Sequence, residues 1–195
     1  MTDPQLYEKA ADCFRRAGLT LDAARCYRLA GAYRRAGEQY AAIGEYREAA
    51  LDYERSNQAD LAAWLLAHRA GDPAAARALI ARNTSREAGL TLHQRLALAR
   101  CAIVDGAPAE TIPPVIGDVC AELSDQDALY DRFLEEWAVA LAEHLRRYDQ
   151  VALVYAASVR GRRHGAETRW AQWALRVLGT ELIIPTGTDP VRQPA

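Results

Sequence analysis

Gly44-Glu45-Tyr46-Arg47-Glu48-Ala49-Ala50-Leu51-Asp52-Tyr53 is the stretch that decides the fold. Tyr46, Ala49, Ala50 and Tyr53 stand at i, i+3, i+4 and i+7, the spacing of one buried face of an α-helix. The same arrangement recurs on both sides of it with a period of 13 residues, six copies in all, from Leu6 to Asn83. One slot of the repeat reads Ala10, Ala23, Ala36, Ala49, Ala62, Ala75, and the next Ala11, Ala24, Gly37, Ala50, Ala63, Ala76. Three residues further on stand Phe14, Tyr27, Tyr40, Tyr53, Leu66 and Leu79, and the copies close on Gly18, Gly31, Gly44, Asn57, Ala70 and Asn83. A fixed period of this kind signals stacked units.

The helices must be short. Thirteen residues advance an α-helix by about 3.6 turns, so a continuous helix would rotate its apolar stripe away at every copy. Gly and Asn supply the stop, because both tolerate the left-handed conformation at C′. Each copy is therefore expected to be a helix of roughly three turns followed by a tight reversal. In the third copy the stripe is Tyr33, Ala36, Gly37, Tyr40 and Ile43, with Arg34, Arg35, Glu38 and Gln39 on the opposite face. The paired small residues admit a neighbouring backbone, and the large residue fills the gap beside it. The tyrosines are accordingly read as core.

Stacked helices carrying the Ala-Ala-x-x-Tyr/Phe pattern followed by Ala-Gly resemble tetratricopeptide-type α-solenoids and coatomer-like helical arrays. Residues 44–53 carry the likeness best, and it extends over 6–83. A pair of copies here spans 26 residues, against about 34 in a tetratricopeptide unit. The resemblance implies an all-α, right-handed α-solenoid of short antiparallel helices that serves as a protein-interaction scaffold and has no catalytic residues.

Beyond the array the period fades. Asp72-Pro73 is an N-cap followed by proline at the first helical position. Thr84 with Glu87, and Thr91 with Gln94, are candidate capping boxes. Helices are expected over 92–104 and 112–123, then a long one from about 125 to 147 with an apolar face through Leu129, Phe133, Trp137 and Leu141. Tyr148, Val151, Ala152 and Tyr155 repeat Tyr46, Ala49, Ala50 and Tyr53 in frame, so the C-terminal half is expected to continue the stacking with longer helices. A last helix over 166–178, capped by Gly179, places Trp170 and Trp173 on one stripe, where they close the array or form a docking patch. The organisation read from the sequence is thus an array at 1–83, a helical region at 84–184 continuous with it, and a flexible tail at 185–195.

Composition narrows the function. The chain has 195 residues, 50% of them hydrophobic, with a net charge of −2. That near-neutral balance argues against a dedicated nucleic-acid binder. Lys9 is the only lysine; the arginine bias points to a GC-rich, bacterial genome. There is no charged-then-apolar signal segment and no run of ~18 apolar residues, so a cytoplasmic protein with no membrane partner is expected. Cys13, Cys26, Cys101 and Cys120 form no paired motif and read as small buried hydrophobes in a reducing compartment. His68, His93, His144 and His164 are scattered, and no phosphate-binding loop, dinucleotide fingerprint, zinc-protease pair or nucleophile elbow is present. No cofactor, metal site or enzymatic activity is expected.

Two charge clusters and the tryptophans remain as candidate contacts for a protein or peptide partner. Arg34, Arg35 and Arg47 lie on exposed slots of adjacent copies, where a groove would run. Arg160, Arg162, Arg163 and His164 cluster at a helix end, where cations also complement the helix dipole. Trp170 and Trp173 complete the set. The expected function is a non-enzymatic interaction scaffold or adaptor, an accessory subunit of a larger bacterial assembly. A helical sensor that binds a small molecule is the alternative, and self-association through the open ends of the array is possible.

Overall fold

The computed structural model describes residues 3–85, 89–112, 114–129 and 131–182. Among them the chain is all-α: α1 (Pro4–Arg16), α2 (Thr20–Leu29), α3 (Tyr33–Ala42), α4 (Tyr46–Arg55), α5 (Ala59–His68), α6 (Pro73–Asn83), α7 (Leu92–Val104), α8 (Val115–Ser124), α9 (Arg132–His144), α10 (Tyr148–Arg160) and α11 (Ala166–Leu178), with one 3₁₀ turn at Ala109–Thr111. It divides into two compact units, Met1–Val115 and Ile116–Ala195.

In the first unit each helix from α1 to α6 packs on the next, and α7 packs on both α5 and α6. The repeat slots behave as their chemistry requires. Ala23, Ala36, Ala49 and Ala62 have no exposed surface, nor do Ala11, Ala24, Ala63 and Ala76. Tyr27, Tyr40, Tyr53, Leu66 and Leu79 are buried beside them. Gly37 shows how tight the interlock is: a Cβ there would meet the Tyr53 ring at 3.1 Å and the Ala49 carbonyl at 3.2 Å. Ile43, read as part of the stripe, is exposed instead, because it falls at the helix C-cap.

The reversals match the pattern for four copies. Gly18, Gly31, Gly44 and Asn57 all take positive φ, which only Gly and Asn adopt cheaply. In the fifth copy the left-handed residue is Gly71 rather than Ala70, one place later, so that Asp72 caps α6 by accepting from the Ala75 N–H. The sixth copy ends differently: Asn83 and Thr84 donate their side-chain hydrogens to the carbonyls of Leu79 and Ile80. The Thr91–Gln94 capping box is formed in both directions. Glu87 of the other proposed box lies outside the described residues.

Ion pairs and a side-chain hydrogen bond link helices two apart. Glu8 on α1 pairs with Arg35 on α3, and Asp60 on α5 accepts from Gln94 on α7. Arg28 on α2 pairs with Glu48 and Asp52 on α4, and Arg47 on α4 pairs with Asp72 at the head of α6. Side-chain bridges thus join α1 to α3, α2 to α4, α4 to α6 and α5 to α7, an arrangement compatible with a helical repeat. Asp52 is fully buried and tolerates it because the Arg28 guanidinium covers it at 2.8 Å. Burial works against the Arg28 charge, but Asp52 and Glu48 outweigh it and hold its pKa above the ordinary arginine value.

In the second unit α9 packs on α10 and α10 on α11. Helices α9, α10 and α11 each have 13 residues, against 10 for each of α2 to α5. The expected long helix over 125–147 is a correction. Ser124 ends α8 by donating to the Cys120 carbonyl, Asp125 accepts from the Asp127 N–H in a local turn, and Asp131 caps the start of α9 through the Phe133 N–H. Leu129 is fully in solvent, its helical spacing coincidental. The in-frame echo does hold: α10 begins at Tyr148 as α4 begins at Tyr46, and Arg146 takes the left-handed conformation that Gly44 takes before α4.

Candidate functional site

Two concave sites stand out, one in each unit. The first is a cavity of about 400 Å³ between α4 and α6. Ala50, Leu51, Leu66, Ala75, Ala78 and Leu79 give it an apolar floor, and Arg47, Glu54, Asp72 and Arg82 rim it. At one end Arg47 pairs with Asp72 at 3.0 Å. At the other, Arg82 donates Nε and Nη2 to the two oxygens of Glu54, both at 2.8 Å. Helix starts meet helix starts and ends meet ends, so α4 and α6 run parallel with an ion pair closing each end of the groove. The Arg82 guanidinium holds the Glu54 carboxyl below its ordinary pKa. The Ala75 N–H, followed by Arg47, does the same to Asp72. Leu51 is nearly half exposed on the groove floor, a large apolar side chain outside the buried stripe of α4.

The second site lies among α9, α10 and α11. It is also about 400 Å³ and is lined by Glu135, Glu143, Tyr155, Arg169, Trp173 and Arg176, among others. Glu135 is 1% exposed on the core face of α9, and Arg169 neutralises it through Nε and Nη2. Glu143 Oε1 accepts from the Trp173 indole at 2.6 Å and from Arg176 at 3.2 Å. The Tyr155 ring stacks on Trp170 and meets Trp173 at a tilt. Burial, reinforced by Glu135 and Glu143, pushes the Tyr155 pKa up to about 12, so its phenol stays protonated at neutral pH.

The residues singled out in the sequence are distributed over both units. Arg35 binds Glu8 between α1 and α3, Arg34 binds Glu38 on its own helix, and Arg47 stands at the groove rim. The three are not brought together. Arg160 and Arg162 are exposed and His164 presents its carbonyl to Arg169. Arg163 is buried: its guanidinium donates to the carbonyls of Glu122, Leu123, Asp125 and Ala128. It thus satisfies the C-terminus of α8 and the turn after it, the dipole role, though on a different helix from its own. Trp173 is buried in the pocket wall and Trp170 half-buried. Cys101 is buried and Cys26 and Cys120 are half-buried, but Cys13, on the first helix of the array, is exposed, a departure from the expected burial. His144 is exposed.

Sequence reasoning missed Leu51, Glu54, Asp72 and Arg82 as one site. Their signal was present: the pairs Arg28–Asp52, Glu8–Arg35, Arg47–Asp72 and Glu54–Arg82 are separated by 24 to 28 residues, close to two repeat lengths. It also missed Glu135, whose place among Leu134, Trp137, Ala138 and Leu141 marks a carboxylate that needs a buried partner. No family model, curated protein or solved structure matches this chain. No helix among the described residues is long and apolar enough to cross a membrane.

Proposed function

We propose that this protein is a non-enzymatic interaction adaptor of the tetratricopeptide-like kind, an accessory subunit of a larger bacterial assembly. Its first unit docks an amphipathic helical segment of a protein partner in the α4–α6 groove. The observation that carries this reading is the groove itself, an apolar floor with Leu51 exposed and an ion pair at each end. Two parallel helices leave a channel suited to a third helix, whose apolar face would cover Leu51 and Ala78 while its flanking charges meet Arg47 and Glu54. Paired surface charges confer register more than affinity, and the buried apolar contact supplies the energy.

Capture from the native lysate tests this, comparing the wild-type chain with a Leu51→Asp/Ala78→Asp variant and with an Arg34→Ala/Arg35→Ala control. A stoichiometric partner that is lost with the groove variant and kept by the control is the expected result. A partner that the groove variant retains would move the site off α4 and α6.

A further inference from the structure

The pocket among α9, α10 and α11 has hydrogen-bonding capacity left over at Tyr155 and Glu143. Tyr155 is 7% exposed and lines the cavity, yet its hydroxyl makes no hydrogen bond among the described residues. Glu143 receives both of its donors on Oε1, which leaves Oε2 open. Arg169, the donor beside them on the wall, is already committed: it gives Nε and Nη2 to Glu135 and Nη1 to the His164 carbonyl. A carboxylate oxygen, a phenol and aromatic rings are what a cationic nitrogen seeks. The chain supplies an example of that chemistry in place, since the guanidinium of Arg176, 70% exposed at the rim, rests against Glu143.

We propose that this pocket binds a small organic cation bearing N–H donors, an amine or a guanidinium, with Glu143 as counter-charge and Tyr155 as second hydrogen-bond partner. Arg176 occupies the rim when the ligand is absent and swings into solvent when it enters. This site is independent of the groove on the first unit. A free metabolite and the arginine side chain of a peptide present the same group, and the experiment separates them.

Agmatine and N-acetyl-arginine amide are titrated into the full chain by calorimetry, with tryptophan fluorescence reporting on Trp173. Saturable binding of either is expected, agmatine being tighter for a free ligand and the capped arginine for a peptide side chain. Glu143→Gln should weaken it by about tenfold or more, the size of one charge-assisted hydrogen bond. Tyr155→Phe should weaken it less, and Arg176→Ala should strengthen it by removing the resident competitor. A thermal melt establishes that each variant is folded. The proposal is overturned if neither cation saturates, if folded Glu143→Gln and Tyr155→Phe both bind as the wild type does, or if the dianion glutarate binds in preference.

Discussion

The two units close a helix at the same repeat position by different means, and they spend their arginines differently. Before α4 the left-handed residue is Gly44, while before α10, at the equivalent place, it is Arg146. In the first unit Arg35, Arg47 and Arg82, which join helices two apart, are more than half exposed, and Arg28, 26% exposed over the buried Asp52, is the exception. In the second unit, by contrast, Arg163 is buried among carbonyls and Arg169 covers a buried carboxylate. The array is held by small residues interlocking with aromatics, with charge laid over the surface except at the Arg28–Asp52 pair. The second unit has drawn more of its charge inside, at Arg163 and at the Arg169–Glu135 pair. An exposed ion pair contributes little and a buried one is costly to break, so the same residue type should matter very differently in the two halves.

The sharpest break falls on α10. A Cβ at Gly161 would stand 1.9 Å from the Leu123 carbonyl, which is backbone and is itself held by Arg163. Gly161→Ala should cost about 3 kcal/mol or more in chemical denaturation. Gly37→Ala in the first unit, where the nearest atoms lie at 3.1 Å on a side-chain ring, should stay within about 1 kcal/mol, crowding being offset by helix propensity. Equal effects at the two glycines would erase the contrast.

Next in size is the buried pair. Glu135→Leu leaves Arg169 without its carboxylate and should cost about 3 kcal/mol, while Glu135→Leu with Arg169→Leu should recover most of that loss. A double variant no better than the single would show that the pair holds the second unit by more than mutual charge compensation.

The equivalent closures give a smaller, signed test. Gly44→Ala should destabilise and Arg146→Gly stabilise, each by about 1 kcal/mol, since a non-glycine residue bears the left-handed strain. Both changes acting in the same direction would mean that Arg146 is stabilised by something other than its backbone.

The smallest effect is expected at the groove rim. Arg82→Leu should cost less than about 1 kcal/mol near neutral pH. Because Arg82 depresses the Glu54 pKa, the contribution of this pair is present above the ordinary carboxylate range and is lost as pH falls through the depressed value. Arg82→Leu should therefore flatten the acid limb of the stability curve and leave the rest nearly unchanged.

The array was legible because every copy repeats its constraints. Alanine had to stand where backbones meet, and Gly or Asn where the chain turns left-handed, so a single period exposed both. The Arg146 closure broke that code by placing arginine in a glycine's position, though the echo of Tyr46 at Tyr148 pointed to it. The start of α9 was hidden because Leu129 continues an apolar spacing that Asp131 in fact interrupts as a cap. Arg163 could not be assigned from sequence, since its partners are backbone carbonyls 35 to 41 residues away, which carry no side-chain signature. The groove was half legible: Arg47 was chosen for its exposure, while the spacing that joins it to Asp72, and Glu54 to Arg82, went unused.

The measurement that tests the adaptor reading most directly is amide hydrogen exchange on the chain, free and bound to the partner it captures. Occupation of the groove predicts added protection across α4 and α6, residues 46–55 and 73–83, with α1 unchanged. Protection confined to α1 and α3, or to the second unit, would contradict it.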